Sequence, residues 1–271
     1  MPGNEIETIK YILKYSATLI LQYIGSIKEI GAPSSLPKQY TLITSAKDID
    51  KLVSSNNSMK KADTYINGHG VSIKQKGSTF DFSRLQRSEI KGLCEKMGFK
   101  NPQEILDKFD DAVLRYHNGL SKKRDVSWRD IFIDEEEFKR LLKYLMMEGS
   151  PNHGISPHPA EFILESDVDK NNLANSKLMI ENNDGLLNLY TFDEYYDKYK
   201  NNITFGVRRC WVGQRSRSEH NRAKSIMKKE QNKKWVFFDI SGEPEDDEWN
   251  EDIPISDRRT VFFITITKNN R

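Results

Sequence analysis

At residues 62–75 the chain reads ADTYINGHGVSIKQ, two β-prone runs separated by an Asn-Gly pair. Asn67 and Gly68 tolerate the positive φ angles of a tight two-residue turn, so the stretch predicts a β-hairpin. Apolar residues alternate with polar ones in the second run, which is typical of a strand with one buried face. We expect this hairpin to form part of the central sheet.

The hairpin also brings together two groups that can do chemistry. Ser72 and Lys74 share one face of the second strand, while Val71 and Ile73 share the other. Lys74 can therefore approach Asp63 across the hairpin. In phosphodiester hydrolysis a carboxylate holds Mg²⁺ and a lysine orients the attacking water, so the pair is a candidate nuclease centre. An ordinary surface salt bridge is the alternative interpretation.

Outside the hairpin, the hydrophobic periodicity predicts both helices and strands. Helices are expected over residues 6–27, 45–54, 83–98, 102–116 and 134–147, and strands over 40–43, 161–164, 235–240 and 260–267. This alternation indicates an α/β fold with a mixed central β-sheet flanked by helices. We expect a single domain spanning residues 1–271, with a candidate subdomain edge near 150–158, where prolines and glycine interrupt the pattern.

The composition narrows the class of protein. A hydrophobic share of 37% with 10% aromatic residues argues against wholesale disorder in a chain of 271 residues. Cys94 and Cys210 match no zinc or disulfide spacing, which favours a reducing cytoplasm. The sequence shows no signal peptide and no apolar run long enough for a membrane span, so we expect a cytoplasmic protein without a membrane partner.

A strongly basic segment follows residue 208. Residues 208–234 contain five arginines and five lysines but only two glutamates. Such a segment suits a polyanion, although a solvated helix face would have the same composition. A second polar cluster opens the helix predicted over residues 83–98, where N-terminal amides favour phosphate. The candidate DNA-binding residues are Arg84, Gln86, Arg87, Arg208, Arg209, Gln214, Arg215, Arg217 and Arg222.

At this point the sequence resembles the PD-(D/E)XK nuclease superfamily. Ala62-Asp63 stands where that motif has Pro-Asp, and Ser72-Ile73-Lys74 stands where it has an acid, any residue and lysine. The wider runs over residues 61–87 and 208–220 look like type II restriction endonucleases within it. The resemblance implies a nuclease-like core and Mg²⁺-dependent, sequence-specific cleavage of double-stranded DNA. It also implies a homodimer and a cognate DNA methyltransferase in the same system.

The resemblance assigns roles to the hairpin residues and exposes one departure. Asp63 would bind Mg²⁺, Lys74 would assist the attacking water, and Ser72 would contribute a hydrogen bond. Ser72 replaces the second acid of the motif, so another oxygen ligand is needed. We expect a glutamate associated with the first helix beside Asp63.

The candidates for that ligand are Glu5, Glu7 and Glu29, of which Glu29 is assigned to the metal together with Asp63. Two functional alternatives remain open. One is a non-catalytic DNA-binding protein in which Asp63 and Lys74 only stabilise a hairpin. The other is a nuclease of the same superfamily that acts in DNA repair or RNA processing.

Overall fold

A computed structural model describes residues 4–52, 59–77, 80–117, 125–168, 186–210 and 259–266. The chain divides into two compact units, the first formed by residues 1–79, 142–202 and 267–271, the second by 80–141 and 203–266. Residues 150–158, where the sequence suggested a subdomain edge, lie inside the first unit. The expectation of a single domain over the whole chain stays a prediction.

The secondary structure alternates between helices and strands. The helices are α1 (Glu5–Tyr15), α2 (Ala46–Leu52), α3 (Arg87–Lys96), α4 (Pro102–His117), α5 (Trp128–Ile131), α6 (Glu135–Lys143) and α7 (Phe192–Tyr199). The strands are β1 (Ile20–Leu21), β2 (Gly25–Ser26), β3 (Ile30–Pro33), β4 (Tyr40–Leu42), β5 (Thr64–Ile66), β6 (His69–Gln75), β7 (Phe80–Gln86), β8 (Asp125–Ser127), β9 (Gly149–Ser150), β10 (Gly154–Ile155), β11 (Phe162–Ser166), β12 (Leu187–Tyr190), β13 (Ile203–Cys210) and β14 (Arg259–Ile266). A π-helical turn (Tyr144–Glu148) extends α6, and a 3₁₀ turn (Lys200–Asn202) follows α7.

The first unit is built on a six-stranded mixed sheet in the order β12-β11-β6-β5-β3-β4. Strands β6 and β11 are parallel, and the other neighbours are antiparallel. Val71, Ile73 and Leu164 are buried with Ile9 and Ile12 of α1 on one face. Because side chains alternate along β11, its other face points toward α7, which packs on β11 and β12. The predicted class, a mixed sheet flanked by helices, is confirmed.

The hairpin that joins β5 to β6 is also confirmed. Asn67 and Gly68 have φ angles of +48° and +83°, as a two-residue turn of this type requires. The Asn67 side chain fixes this turn to the preceding strand, because its Oδ1 accepts from the amides of Lys28 (2.8 Å) and Glu29 (3.2 Å). Its Nδ2 donates to the Ser26 carbonyl at 2.8 Å. Asn67 therefore forms part of the turn and also connects the hairpin to β2 and β3.

The second unit contains a four-stranded antiparallel sheet in the order β7-β14-β13-β8. Its core is rich in phenylalanine: Phe109 of α4 contacts Phe205 and Phe262 edge-on or tilted, with ring centroids 4.9 and 4.5 Å apart. Phe138 and Phe132 extend the same cluster at 5.3 Å. Burial of these large rings stabilises the sheet against α4 and α6.

The helix predicted over residues 6–27 is wrong in its second half. Helix α1 ends at Tyr15, and the chain then forms the short β1–β2 hairpin. Tyr23 and Gly25 have φ angles of +66° and +80°, which a helix does not allow. Leu19 and Leu21 are buried whereas Ile20 is 77% exposed, so in this segment the apolar residues at helical spacing do not form the buried face.

The helix predicted over residues 83–98 begins later than expected. Residues Phe80–Gln86 form β7, which pairs with β14, and α3 starts at Arg87. A capping box between Gln86 and Glu89 marks the start of the helix. Strand pairing over long range overrode the helical periodicity of this stretch.

The remaining elements agree with the sequence-based expectations, apart from their ends. The strands near residues 40–43, 161–164 and 260–267 and the helices near 45–54, 102–116 and 134–147 are confirmed. The strand expected at 235–240 lies outside the described residues. Within the described ranges, none of the helices combines the length and the apolar character that crossing a membrane would need.

Candidate active site

Asp63 lies at the point where β5 separates from β6. The Ile73 amide donates a 2.6 Å hydrogen bond to Asp63 Oδ2, and the Ser72 hydroxyl donates to the same oxygen at 3.3 Å. The carboxylate thus occupies the position of a backbone acceptor at the open end of the hairpin. Within the part of the chain that the structure describes, the hydrogen bonds to this carboxylate are made to Oδ2 and not to Oδ1.

Ser72 connects Asp63 to Lys74. The Lys74 ammonium donates to Ser72 Oγ at 2.8 Å and to the Ile73 carbonyl at 3.2 Å. Ser72 is buried, at 2% exposure, so these hydrogen bonds are shielded from competing water. Ser72 therefore serves as a hydrogen-bonding link between the carboxylate and the lysine.

The start of α1 is fastened to the ends of β6 and β11. Asn4 Nδ2 donates to the carbonyls of Ser166 (2.8 Å) and Val168 (3.2 Å). The hydroxyls of Thr8 and Ser166 are hydrogen-bonded at 2.7 Å, and the Lys76 amide donates to the Ser166 carbonyl at 2.8 Å. These contacts fix the first turn of α1 next to the strand that carries Lys74.

Glu5 is the first residue of α1, and its carboxyl interacts electrostatically with Asp63 and Lys74. Burial raises the pKa of its carboxyl above the ordinary value, and the negative charge of Asp63 raises it further, while its own backbone amide and Lys74 oppose the shift. Glu5 Oε2 is buried and has no hydrogen-bond partner among the described residues. A buried carboxylate oxygen without a partner destabilises the folded state. A bound cation or a proton would remove this penalty.

Glu29, which the sequence assigned to the metal with Asp63, lies elsewhere. It immediately precedes β3, and its backbone carbonyl accepts from the amide of Asn67 in the hairpin turn at 3.1 Å. Its carboxylate accepts a hydrogen bond from the Tyr40 hydroxyl. Asp63 is at the opposite end of β5, about 13 Å away for four extended residues. The structure therefore does not place Glu29 beside Asp63, and of the three candidate glutamates Glu5 is the one whose carboxyl responds to the charge of Asp63.

A further carboxylate lies on the strand next to Lys74, but it is already engaged. Glu165 is fully buried and is the register partner of Lys74 in the parallel β6–β11 pair. The Tyr199 hydroxyl lies 2.8 and 3.0 Å from its two oxygens, and the Lys198 ammonium donates at 2.8 Å. These bonds anchor α7 to the sheet and occupy the carboxylate.

The carboxylates at the site suit Mg²⁺ only if waters and substrate oxygens complete its coordination shell. Among the described residues, no group of three or more His, Cys, Asp and Glu side chains is arranged to hold a metal ion. Mg²⁺ is commonly bound by one or two carboxylates, with waters and substrate oxygens as its other ligands. Asp63 and Glu5 are two such carboxylates, so the chemistry of the donors suits an ion whose other ligands are waters and a phosphate.

Sequence reasoning missed the groups that hold this site together. Asn4, Thr8 and Ser166 gave no signal, because the Thr8–Ser166 contact joins residues 158 positions apart. Lys61 was also missed: the pKa of this lysine is lowered to about 8, chiefly by burial and then by the charge of Lys74, against an opposing effect of Asp63. Its position two residues before Asp63 was the only available clue.

The DNA-binding candidates near β7 differ from expectation. Arg87 forms a bidentate ion pair with Asp110 of α4, so its guanidinium is engaged within the second unit. Gln86 caps α3, and Arg84 lies in β7 opposite Phe263 instead of on a helix. The expected helix N-terminus that would hold phosphate through Arg84 is therefore not formed.

The second group of DNA-binding candidates is only partly described. Arg208 and Arg209 lie on β13, where they pair with Val261 and Thr260 of β14. The other four candidates lie outside the described residues: Gln214, Arg215, Arg217 and Arg222.

Comparison with known proteins adds no relative to this description. No protein-family model, no curated protein and no solved structure matches the chain.

Proposed function

We propose that this chain is a Mg²⁺-dependent endonuclease that hydrolyses phosphodiester bonds of double-stranded DNA at a specific sequence, in the manner of a type II restriction enzyme with a PD-(D/E)XK nuclease-like core. The observation that carries the proposal is the buried Oε2 of Glu5, which has no hydrogen-bond partner among the described residues and interacts electrostatically with Asp63 and Lys74. This arrangement supplies two carboxylates and a lysine, although Ser72 departs from the motif.

Each residue has a distinct task in this proposal. Asp63 and Glu5 hold Mg²⁺, which when bound polarises the phosphate oxygens and offsets the charge that develops on them. Lys74 donates a hydrogen bond to the attacking water and orients it toward phosphorus. Ser72 holds the Lys74 ammonium at 2.8 Å and thereby fixes the direction of that donor.

The simplest experiment is incubation of unmethylated plasmid DNA with the protein and Mg²⁺, followed by mapping of the fragment ends. We expect discrete bands that require Mg²⁺ and disappear with EDTA. A smear would favour a nonspecific or repair nuclease, and cleavage of RNA alone would favour an RNA-processing enzyme. Binding without any cleavage would favour the non-catalytic DNA-binding protein.

Two partners belong to the same proposal. An enzyme that cuts both strands of a duplex at one sequence is expected to act as a homodimer, because two-fold symmetry presents one active site to each strand. A cognate DNA methyltransferase would protect the host sequence, so plasmid methylated at the mapped sequence is the informative companion substrate.

A further inference from the structure

We propose that the β9–β10 hairpin, residues 149–155 of the first unit, enters the major groove of the DNA and contacts base edges close to the bond that is cut. Asn152 and Ile155 are the side chains that make these contacts. The inference rests on the proposed function and deepens it, because it names an element that selects the sequence.

The chain that leaves the β9–β10 hairpin is fastened to the segment that leads into Asp63. The Ser156 hydroxyl donates to the Met59 carbonyl at 2.6 Å. Two residues further on, the His158 carbonyl accepts from the amides of residues 61 and 62, at 3.0 and 2.9 Å. The hairpin and the candidate metal ligand therefore extend from the same fixed part of the first unit.

The β9–β10 hairpin is also held at its own base. The Ser156 amide donates to the Glu148 carbonyl at 2.7 Å, and the Tyr144 hydroxyl of the π-helical turn donates to the Ser150 carbonyl at 2.9 Å. Gly154 has a φ angle of +69°, the left-handed conformation that is common where a three-residue loop closes a hairpin. The side chains at the tip are therefore presented from a defined backbone, as precise recognition requires.

The outer part of the β9–β10 hairpin is exposed and uncharged. Residues 152–155 are exposed, and Ile155 is 70% exposed. Residues 149–157 include no Asp, Glu, Lys or Arg, although these types make up 30% of the chain. Carboxylates here would repel the phosphates, and basic side chains would bind phosphates without reading the sequence. An amide and an apolar side chain instead match the edge of adenine and the methyl group of thymine.

The dimensions of the β9–β10 hairpin suit the major groove. This groove is about 12 Å wide and about 8.5 Å deep, and it admits a two-stranded ribbon. Three residues of extended chain, from Gly149 to Asn152, cover about 10 Å, which is enough to reach the base edges. The same number of residues separates Ile155 from His158. The bases contacted should therefore lie within about three steps of 3.4 Å from the segment that precedes Asp63.

The β1–β2 hairpin of the same unit provides a matched control. It also joins two strands of two residues each. It carries an exposed amide, Gln22, and an isoleucine, Ile20, that is 77% exposed. Its turn is fastened to α7 through the hydrogen bond between the Tyr23 hydroxyl and Glu194. Equivalent substitutions in the two hairpins therefore change the same kinds of side chain at similar exposure.

The test measures kcat/KM for cleavage of a duplex with the mapped sequence and of duplexes with each single base-pair substitution in it. We expect Asn152→Ala and Ile155→Ala each to lower the preference for the mapped base pair at one position by at least about 10-fold, as loss of a base contact implies. The salt slope of binding in EDTA should keep its wild-type value, because no phosphate contact is lost. Gln22→Ala and Ile20→Ala should keep the wild-type preference at every position.

A second pair of variants tests the position of the β9–β10 hairpin by charge. Asn152→Asp places a carboxylate in the groove, where the phosphates repel it, so binding of duplex DNA should weaken by at least about 10-fold. Gln22→Glu makes the same change on the control hairpin and should leave the affinity unaltered. The melting temperature of each variant confirms that it is folded.

The outcomes separate this inference from the proposed function. Wild-type sequence preference in both Asn152→Ala and Ile155→Ala would overturn the inference while leaving wild-type cleavage intact. A uniform loss of affinity for all sequences with a lower salt slope would overturn it too, because that pattern identifies phosphate contacts. A wild-type protein that neither binds DNA nor cuts it at a discrete sequence would instead overturn the proposed function.

Discussion

Thr8 in α1 and Ser166 at the end of β11 form a buried hydrogen bond of 2.7 Å between their hydroxyls. Both side chains have no solvent exposure. Because Ser166 also accepts the Lys76 amide through its carbonyl, this contact joins the first helix to the end of the strand that carries Lys74. Glu5, whose carboxyl interacts electrostatically with Asp63, lies in the turn of α1 that this junction holds.

Thr8→Val should disturb the site without leaving a cavity in the core, because valine has nearly the same shape as threonine but lacks its hydroxyl. It removes the buried contacts of the Thr8 hydroxyl with Ser166 and with the Asn4 carbonyl, while the Ser166 hydroxyl oxygen still accepts from the Val168 amide, so a cost of about 1 kcal/mol is expected. We expect lower stability in urea denaturation, and a larger loss in Mg²⁺-dependent cleavage than in DNA binding. Thr18→Val, at an exposed hydroxyl that bonds only within its own turn, is the control.

Asp63→Asn and Asp63→Ala should separate catalysis from folding. Asparagine can still accept the Ile73 amide that now donates to Asp63 Oδ2, whereas alanine leaves that amide without an acceptor. Both variants should lose cleavage by at least about 100-fold, because the charge that holds the metal is gone. Only Asp63→Ala should also unfold at lower urea concentration, and an active Asp63→Asn enzyme would contradict the assignment.

Glu5→Gln should stabilise the protein when no metal is present. Burial raises the pKa of Glu5 in the folded state, so the folded protein binds this proton more tightly than the unfolded chain does. Stability therefore falls as pH rises from the unfolded pKa through the folded one, and the charged form is unfavourable at pH 7. Thermal melting in EDTA should give a higher melting temperature for Glu5→Gln than for wild type.

The pH dependence of the difference in melting temperature between wild type and Glu5→Gln identifies the cause of that difference. At pH 4 or below the wild-type Glu5 is itself protonated, so the two proteins should melt together. A difference that persists unchanged in acid would mean that packing, and not charge, distinguishes them. Addition of Mg²⁺ at pH 7 should raise the melting temperature of wild type more than that of Glu5→Gln.

His158 should make the fold sensitive to mild acid. The ring is fully buried, its Nε2 donates to the Ser34 carbonyl at 3.0 Å, and its Nδ1 accepts from the Tyr65 hydroxyl at 2.9 Å. Burial lowers the pKa of His158 below 6.5, although the Ser34 carbonyl opposes this. The unfolded state binds the proton more readily, so stability is full above pH 6.5 and declines below it.

Urea unfolding at pH 7.5 and 5.5 measures this effect. We expect a loss of up to about 1.4 kcal/mol for each unit by which the pKa is lowered. His153, which is exposed in the β9–β10 turn, provides the control. His153→Gln should retain the acid sensitivity and His158→Gln should reduce it; the reverse pattern would refute the role of His158.

The sequence predicted the part of the site that is local in the chain. The Asn67-Gly68 turn and the alternation after it were sufficient to put Ser72 and Lys74 on one face near Asp63. Short-range patterns carry this information because the contacts within the hairpin span only about ten residues. The mixed sheet was also predicted from short-range patterns in the sequence.

Contacts between residues that are far apart in the sequence could not be predicted from short-range patterns. The choice of Glu5 over Glu29 depends on how Asn4 and Thr8 meet Ser166, which no periodicity encodes. The helix predicted from residue 83 wrongly included the end of β7, because the partner of this strand, β14, comes more than 170 residues later. In both cases contacts between residues far apart in the sequence determined the structure.

The most direct test of the account is a Mg²⁺ titration of single-turnover cleavage of a duplex that contains the mapped site. Wild type is compared with Glu5→Gln and with Glu7→Gln, a change in the same helical turn. The account predicts that Glu5→Gln needs at least about 10-fold more Mg²⁺ for half-maximal rate, as loss of a metal ligand implies. Glu7→Gln should titrate like wild type. Equal Mg²⁺ requirements for all three proteins, or cleavage by none of them, would contradict the proposed metal site of Glu5 and Asp63.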